Sequence, residues 1–145
     1  MTSCEKESLM KKYYYYVPTV VLLLCVIGCG PKAPYSIVPI EGVVTWGGKP
    51  LPKEFTLKFR PENGKMESTG FIKDGGKFAT IHTVDIDGVP TGNCSVHVIW
   101  SGGDGTSPPE EYFPLVEKYG FVSDGFPVVI TKKDKKMKLD FPADD

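Results

Sequence analysis

The chain predicts an all-β domain, a sandwich of about seven strands. Three observations lead there. Glycine and proline, 16 and 13 of 145 residues, are spread along the chain rather than clustered. They punctuate short runs rich in β-branched and aromatic residues, as turns punctuate strands. Several of those runs alternate apolar and polar side chains with period two, which turns one face inward.

A leader precedes the domain. Lys11 and Lys12 supply a positive start, and Tyr13 to Tyr16 are amphipathic rings suited to a headgroup zone. The apolar run Val17 to Ile27 is 11 residues long. A membrane span needs roughly 20 residues, whereas a secretory apolar region needs about 7–15. The run ends in Val26-Ile27-Gly28-Cys29, which resembles the lipobox of bacterial lipoproteins. That resemblance implies a signal peptide over 1–28, lipid on Cys29, and attachment to the membrane through it. Glu5 and Glu7 are unusual ahead of such a leader, and a start at Met10 gives a more ordinary one. Gly30 after Cys29, where an aspartate would argue for retention, favours the outer membrane over the inner. The expected address is the extracytoplasmic face of the cell envelope.

Without residues 1–28, 117 residues remain, with 14 Lys+Arg against 16 Asp+Glu and a formal charge of −2. That is enough chain for one core, and the balance predicts no nucleic-acid partner. Cys94 is then the only thiol besides Cys29, so no disulfide within the domain is expected.

Taken in order, Gly30 to Pro39 has three prolines and no hydrophobic period, so 29–39 reads as a short extended tether and 40–145 as the domain. Ile40 to Trp46 is the first strand, with Ile40, Gly42, Val44 and Trp46 on one face. Gly47-Gly48-Lys49-Pro50 turns it. Glu54 to Arg60 puts Phe55, Leu57 and Phe59 inward, and Pro61-Glu62-Asn63-Gly64 is the next turn. Thr69 to Lys73 and Lys77 to Ile81 flank Asp74-Gly75-Gly76, a hairpin signal because these residues tolerate positive φ. The loop Asp87 to Gly92 leads into Asn93 to Trp100, with Cys94, Val96, Val98 and Trp100 on one face and Ser95, His97 and Ile99 on the other. Ser101 to Pro109 is a loop. Glu110 to Tyr119 spaces Tyr112, Leu115, Val116 and Tyr119 as about two helical turns, which Pro114 weakens. Phe126 to Thr131 and Met137 to Phe141 read as a closing hairpin around Lys132 to Lys136.

Ile40-x-Gly42-x-Val44-Thr45, Gly48-Lys49-Pro50-Leu51-Pro52, Phe59-x-Pro61, Asp74-Gly75-Gly76-Lys77-Phe78 and Asp87-Gly88-Val89-Pro90-Thr91-Gly92 stand in order before the long strand. The series resembles the carboxypeptidase-regulatory-like domain, a transthyretin-like, Ig-like β-sandwich. More narrowly, it is similar to small planctomycete-type bacterial lipoproteins that carry one such domain, and the likeness runs from Ile40 to about Phe141. It implies fold and location, and no activity. Such domains carry an aromatic where Cys94 stands, so a smaller inward residue calls for compensating packing nearby.

Candidate sites are few. Cys94 and His97 have the spacing of a metal or thiol–imidazole pair. Residues three apart on a strand face opposite ways, however, which predicts a buried thiol and an exposed histidine. His82 reads as a polar residue just after a strand. Asp85-Ile86-Asp87-Gly88 starts like a calcium loop but lacks the later ligands. No Gly-x-Ser-x-Gly occurs. The ending Phe141-Pro142-Ala143-Asp144-Asp145 differs from the Tyr-Arg-Gly-Ser of transthyretin-like hydroxyisourate hydrolases. The Lys132 to Lys138 cluster reads as a solvated tip or as a contact for anionic headgroups or an acidic polymer. Tyr112, Phe113, Tyr119, Phe121 and Phe126 either cover an open end of the sandwich or bind a glycan or peptide. The expectation is therefore a lipid-anchored structural or interaction module with an envelope protein or glycan as partner, and no catalytic residue, metal or cofactor. The alternative is a glycan- or peptide-binding module using Tyr112 to Phe126.

Overall fold

Alternation builds the centre of the molecule. A computed structural model of the chain describes residues 34–103 and 105–143. The expected leader, Cys29 and the expected tether up to residue 33 lie outside them. The strands are β1 (Ile37–Val38), β2 (Glu41–Trp46), β3 (Lys49–Pro50), β4 (Phe55–Pro61), β5 (Ser68–Ile72), β6 (Lys77–Thr83), β7 (Ile86–Asp87), β8 (Val89–Pro90), β9 (Gly92–Trp100), β10 (Phe126–Ile130) and β11 (Lys136–Phe141). Among the described residues one α-helix, α1 (Phe113–Tyr119), follows a 3-10 turn at Glu110–Tyr112. Pro114 lies in its first turn, where a proline costs no hydrogen bond.

Seven strands form one curled path in the order β10-β9-β4-β5-β6-β2-β11, with β3 added to β2 and β7 to β6. Neighbours are antiparallel except β2 and β11, which run parallel. The fold is all-β and sandwich-like, as expected, with more strands than the sequence pattern distinguished. On β4, Phe55, Leu57 and Phe59 are fully buried, and across the ladder stand Val96 and Val98 of β9. From the far end of the path, Val44 of β2 and Leu139 and Phe141 of β11 close on the same core. The rings of Phe126 on β10 and Phe141 on β11 lie 5.2 Å apart, with Tyr119 of α1 at 5.9 and 5.0 Å from them. The two end strands thus meet across an aromatic seam sealed by the helix.

The closing hairpin does not form. β10 pairs with β9 and β11 with β2, at opposite ends of the path. The link between them is a tight turn in which the Asp134 carboxylate accepts hydrogen bonds from Thr131 N and Oγ1, both 2.7 Å. Each strand finds a better-matched partner elsewhere. Val128 stands opposite Cys94, while Leu139 and Phe141 align with Val44 and Trp46.

The domain also begins earlier than residue 40. Ile37 and Val38 pair with Pro90 and Val89, and Val38 is buried. A two-residue strand beside prolines leaves no period to read. Gly92, which opens β9, has φ +125°, and a Cβ there would meet only Asn63 Nδ2 at 3.6 Å. Its glycine is required by conformation, not by space.

Candidate functional site

The outward side chains of β5, β6, β2 and β11 assemble a surface that strand-by-strand reading missed. Ile72, Phe78, Val44 and Leu139 are buried, so alternation turns Phe71, Lys77, Ala79, Glu41, Val43, Lys136 and Lys138 outward. Lys77 stands opposite Val43, and Val43 opposite Lys138. Lys73 extends this line, its N–H donating to the Lys77 carbonyl at 2.6 Å. The next row reads Phe71, Ala79, Glu41, Lys136.

Long lysines at the ends and small residues between them leave an open trough of about 800 Å³. Its lining includes Gly42, Val43, Phe78, Ala79 and Met137, with Lys73, Lys77, Lys136 and Lys138 against a single acid, Glu41. Among the described residues the one salt bridge is Arg60–Glu67, away from the trough. Asp140 feels Lys138, but its carboxylate is occupied by Thr45 Oγ1 at 2.5 Å and Gly48 N at 3.3 Å. Those two bonds hold it below the usual aspartate range. The cluster from Lys132 to Lys138 therefore divides. Lys132, Lys133 and Lys135 are exposed on the turn, whereas Lys136 and Lys138 join lysines from another part of the chain. The clue in the sequence is Lys-x-Lys alternation over Lys136 to Lys138, uninformative until the β2–β11 register is known.

The nucleophilic and titratable candidates are built into the structure. Cys94 is buried, and loss of solvation, reinforced by Glu62 and Glu67, pushes its thiol up to about 12. His97 is not exposed as expected but 1% accessible. Its side chain does face away from Cys94, yet Nδ1 donates to the Gly120 carbonyl at 2.9 Å and Nε2 meets Ser95 Oγ at 3.1 Å. The segment after α1 covers it. His82 is likewise buried rather than a turn residue, within β6 and between Ser68 Oγ on Nδ1 at 2.8 Å and Tyr35 Oη on Nε2 at 3.0 Å. Burial lowers its pKa below 6.5. Ser68 is itself 1% exposed, so this serine–histidine contact is sealed from any substrate. Ile86–Asp87 forms a strand on β6, with Asp85 and Asp87 exposed. Among the described residues no three His, Cys, Asp or Glu side chains group to hold a metal ion.

The five aromatics of the C-terminal segment do not make one surface. Tyr112 packs on Trp46 and Phe55, and Tyr119 and Phe126 belong to the seam with Phe141. Phe113 and Phe121 are exposed, at 47% and 55%, at opposite ends of α1. Phe121 lies over the outer face, with the Arg60 guanidinium 4.7 Å from its centroid. Comparison with protein-family models, with characterised proteins and with solved structures finds no match.

Proposed function

We propose that the chain is a lipid-anchored module of the cell envelope that presents its sandwich for binding rather than for catalysis. The observation that carries the anchor is the apolar run ending in Val26-Ile27-Gly28-Cys29 behind Lys11 and Lys12. Support for binding comes from the contrast between sealed and open groups. Cys94, His97, His82 and Ser68 are buried in contacts of the fold, while the trough lysines are exposed. The carboxypeptidase-regulatory-like likeness is in keeping with a domain without chemistry of its own. Membrane fractionation and mass spectrometry of the N-terminus test the anchor. Wild-type chain should sediment with membranes and begin at a lipid-modified Cys29. Cys29→Ser should leave full-length precursor or protein released from the membrane. An unmodified N-terminus elsewhere, such as Pro31, overturns the reading.

A further inference from the structure

We propose that the trough across β5, β6, β2 and β11 binds a linear acidic polysaccharide, an assignment that rests on the binding-module reading above. Charge selects an anion. Four lysines face one glutamate in the lining, in a chain whose overall formal charge is −1. The positive potential is thus local, and low-dielectric walls focus it.

Shape selects an extended ligand. Lys77, Val43 and Lys138 cross three neighbouring strands in one line, and Lys73, just past the end of β5, continues it. With strands about 4.8 Å apart, its ends are separated by roughly 14 Å. The charges recur along a channel instead of converging on one point, as they would around a single phosphate. Lysine ammoniums are compact charges on flexible stems and suit carboxylates that stay partly hydrated.

The floor separates a sugar chain from an acidic peptide. β6 and β2 are hydrogen-bonded on both sides, so the central floor offers no free strand edge for a peptide main chain. It offers small residues, Val43 and Ala79, and beside Ala79 the 51% exposed ring of Phe71. An aromatic face at the end of the row next to the cationic line, at the margin of the trough, suits the apolar face of a sugar ring whose carboxylates meet the lysines.

The test uses the full-length chain in mild detergent, titrated calorimetrically with polygalacturonate, neutral dextran, poly-L-glutamate and anionic vesicles of phosphatidylglycerol and phosphatidylethanolamine. Wild type should bind polygalacturonate, more weakly as salt rises, and should ignore dextran. The double variant Lys77→Glu/Lys138→Glu should lose affinity by about tenfold or more with an unchanged circular dichroism spectrum. Lys132→Glu/Lys133→Glu, on the turn outside the trough, should bind as wild type does. Phe71→Ala should weaken polygalacturonate binding with no effect on any residual binding of poly-L-glutamate. Equal binding by the Lys77/Lys138 variant, or loss in the Lys132/Lys133 variant, overturns the site. Tighter binding of poly-L-glutamate, or vesicle binding that the Lys77→Glu/Lys138→Glu variant loses, overturns the polysaccharide and leaves a binding module for an acidic peptide or a membrane. No binding of any probe removes the binding-module reading of this face. Because polygalacturonate binding is read on the trough variants and not on Cys29, the anchor stands or falls separately.

Discussion

Two outward faces of the same sheet have opposite fates. Over β9, Ser95, His97 and Ile99 point outward, and residues 120–125 cross the edge to cover His97 and reach Arg60. Over β6, β2 and β11, Lys77, Ala79, Val43 and Lys138 also point outward, yet the described chain leaves them open. Strand alternation is the same on both, so alternation does not determine which face meets solvent. A segment distant in sequence does. The difference also divides roles: the covered face stabilises, and the open one is available to a ligand.

The sharpest way to break this contrast is at the cover. Gly125 and Gly75 have nearly the same left-handed backbone, φ +74° and +75°. A Cβ at Gly75 meets nothing within 4 Å, whereas one at Gly125 runs into the His97 ring at 2.8 Å. Gly75→Ala should cost about 1–2 kcal/mol, the left-handed strain alone. Gly125→Ala should cost a further 1–3 kcal/mol, roughly the scale of overpacking. In a domain of this size each kilocalorie lowers the melting temperature by about 4–8 °C. Equal losses in the two variants would mean that 120–125 moves aside freely and is no fixed cover.

What the sequence made legible follows the same line. The inward sets of β4 and β9 and the β5–β6 hairpin with positive φ at Gly75 and Gly76 are local properties, readable from period two and from turn residues. The covered His97, the His82–Tyr35 contact, the parallel pairing of β11 and the line from Lys73 to Lys138 all depend on long-range register. Nothing in Lys136-Met137-Lys138 says that Val43 and Lys77 lie beside it. Punctuation by glycine and proline between alternating runs carried the fold class, and it carried no site.

A smaller effect is expected where a different distant segment covers a histidine. His82 is reached by Tyr35, whose ring also lies 5.2 Å from Lys65 Nζ, and burial lowers its pKa. The folded state then binds fewer protons than the unfolded one between the lowered pKa and about 6.5. Stability is therefore full above about pH 6.5 and declines as pH falls through that window. Thermal unfolding at about pH 7.5 and pH 5 should show the decline. His82→Gln should lose about 1 kcal/mol at the higher pH, the scale of a hydrogen bond, and flatten the slope. A slope unchanged by His82→Gln would assign the pH dependence to other groups and would leave Tyr35 a surface contact.

The smallest expected effect bears most directly on the open face. Lys73 and Lys77 flank one tight turn with extended backbones, so both side chains project to the same side, and both line the trough. Like charges opposite one another on a sheet destabilise it, while unlike charges contribute roughly 0.2–1 kcal/mol. Lys73→Glu should thus raise stability by a few tenths to 1 kcal/mol at about 0.01 M salt, where the screening length is about 30 Å. The gain should vanish near 1 M, where that length is about 3 Å. The same variant should bind polygalacturonate less well, because one of four trough cations has become an anion. Higher stability together with weaker binding would show a lysine pair kept against the interest of the fold, which marks a face held for a ligand. Lower stability at low salt would mean that Lys73 has a structural role in the hairpin, and the contrast between a stabilising covered face and a ligand-ready open one would no longer hold at that position.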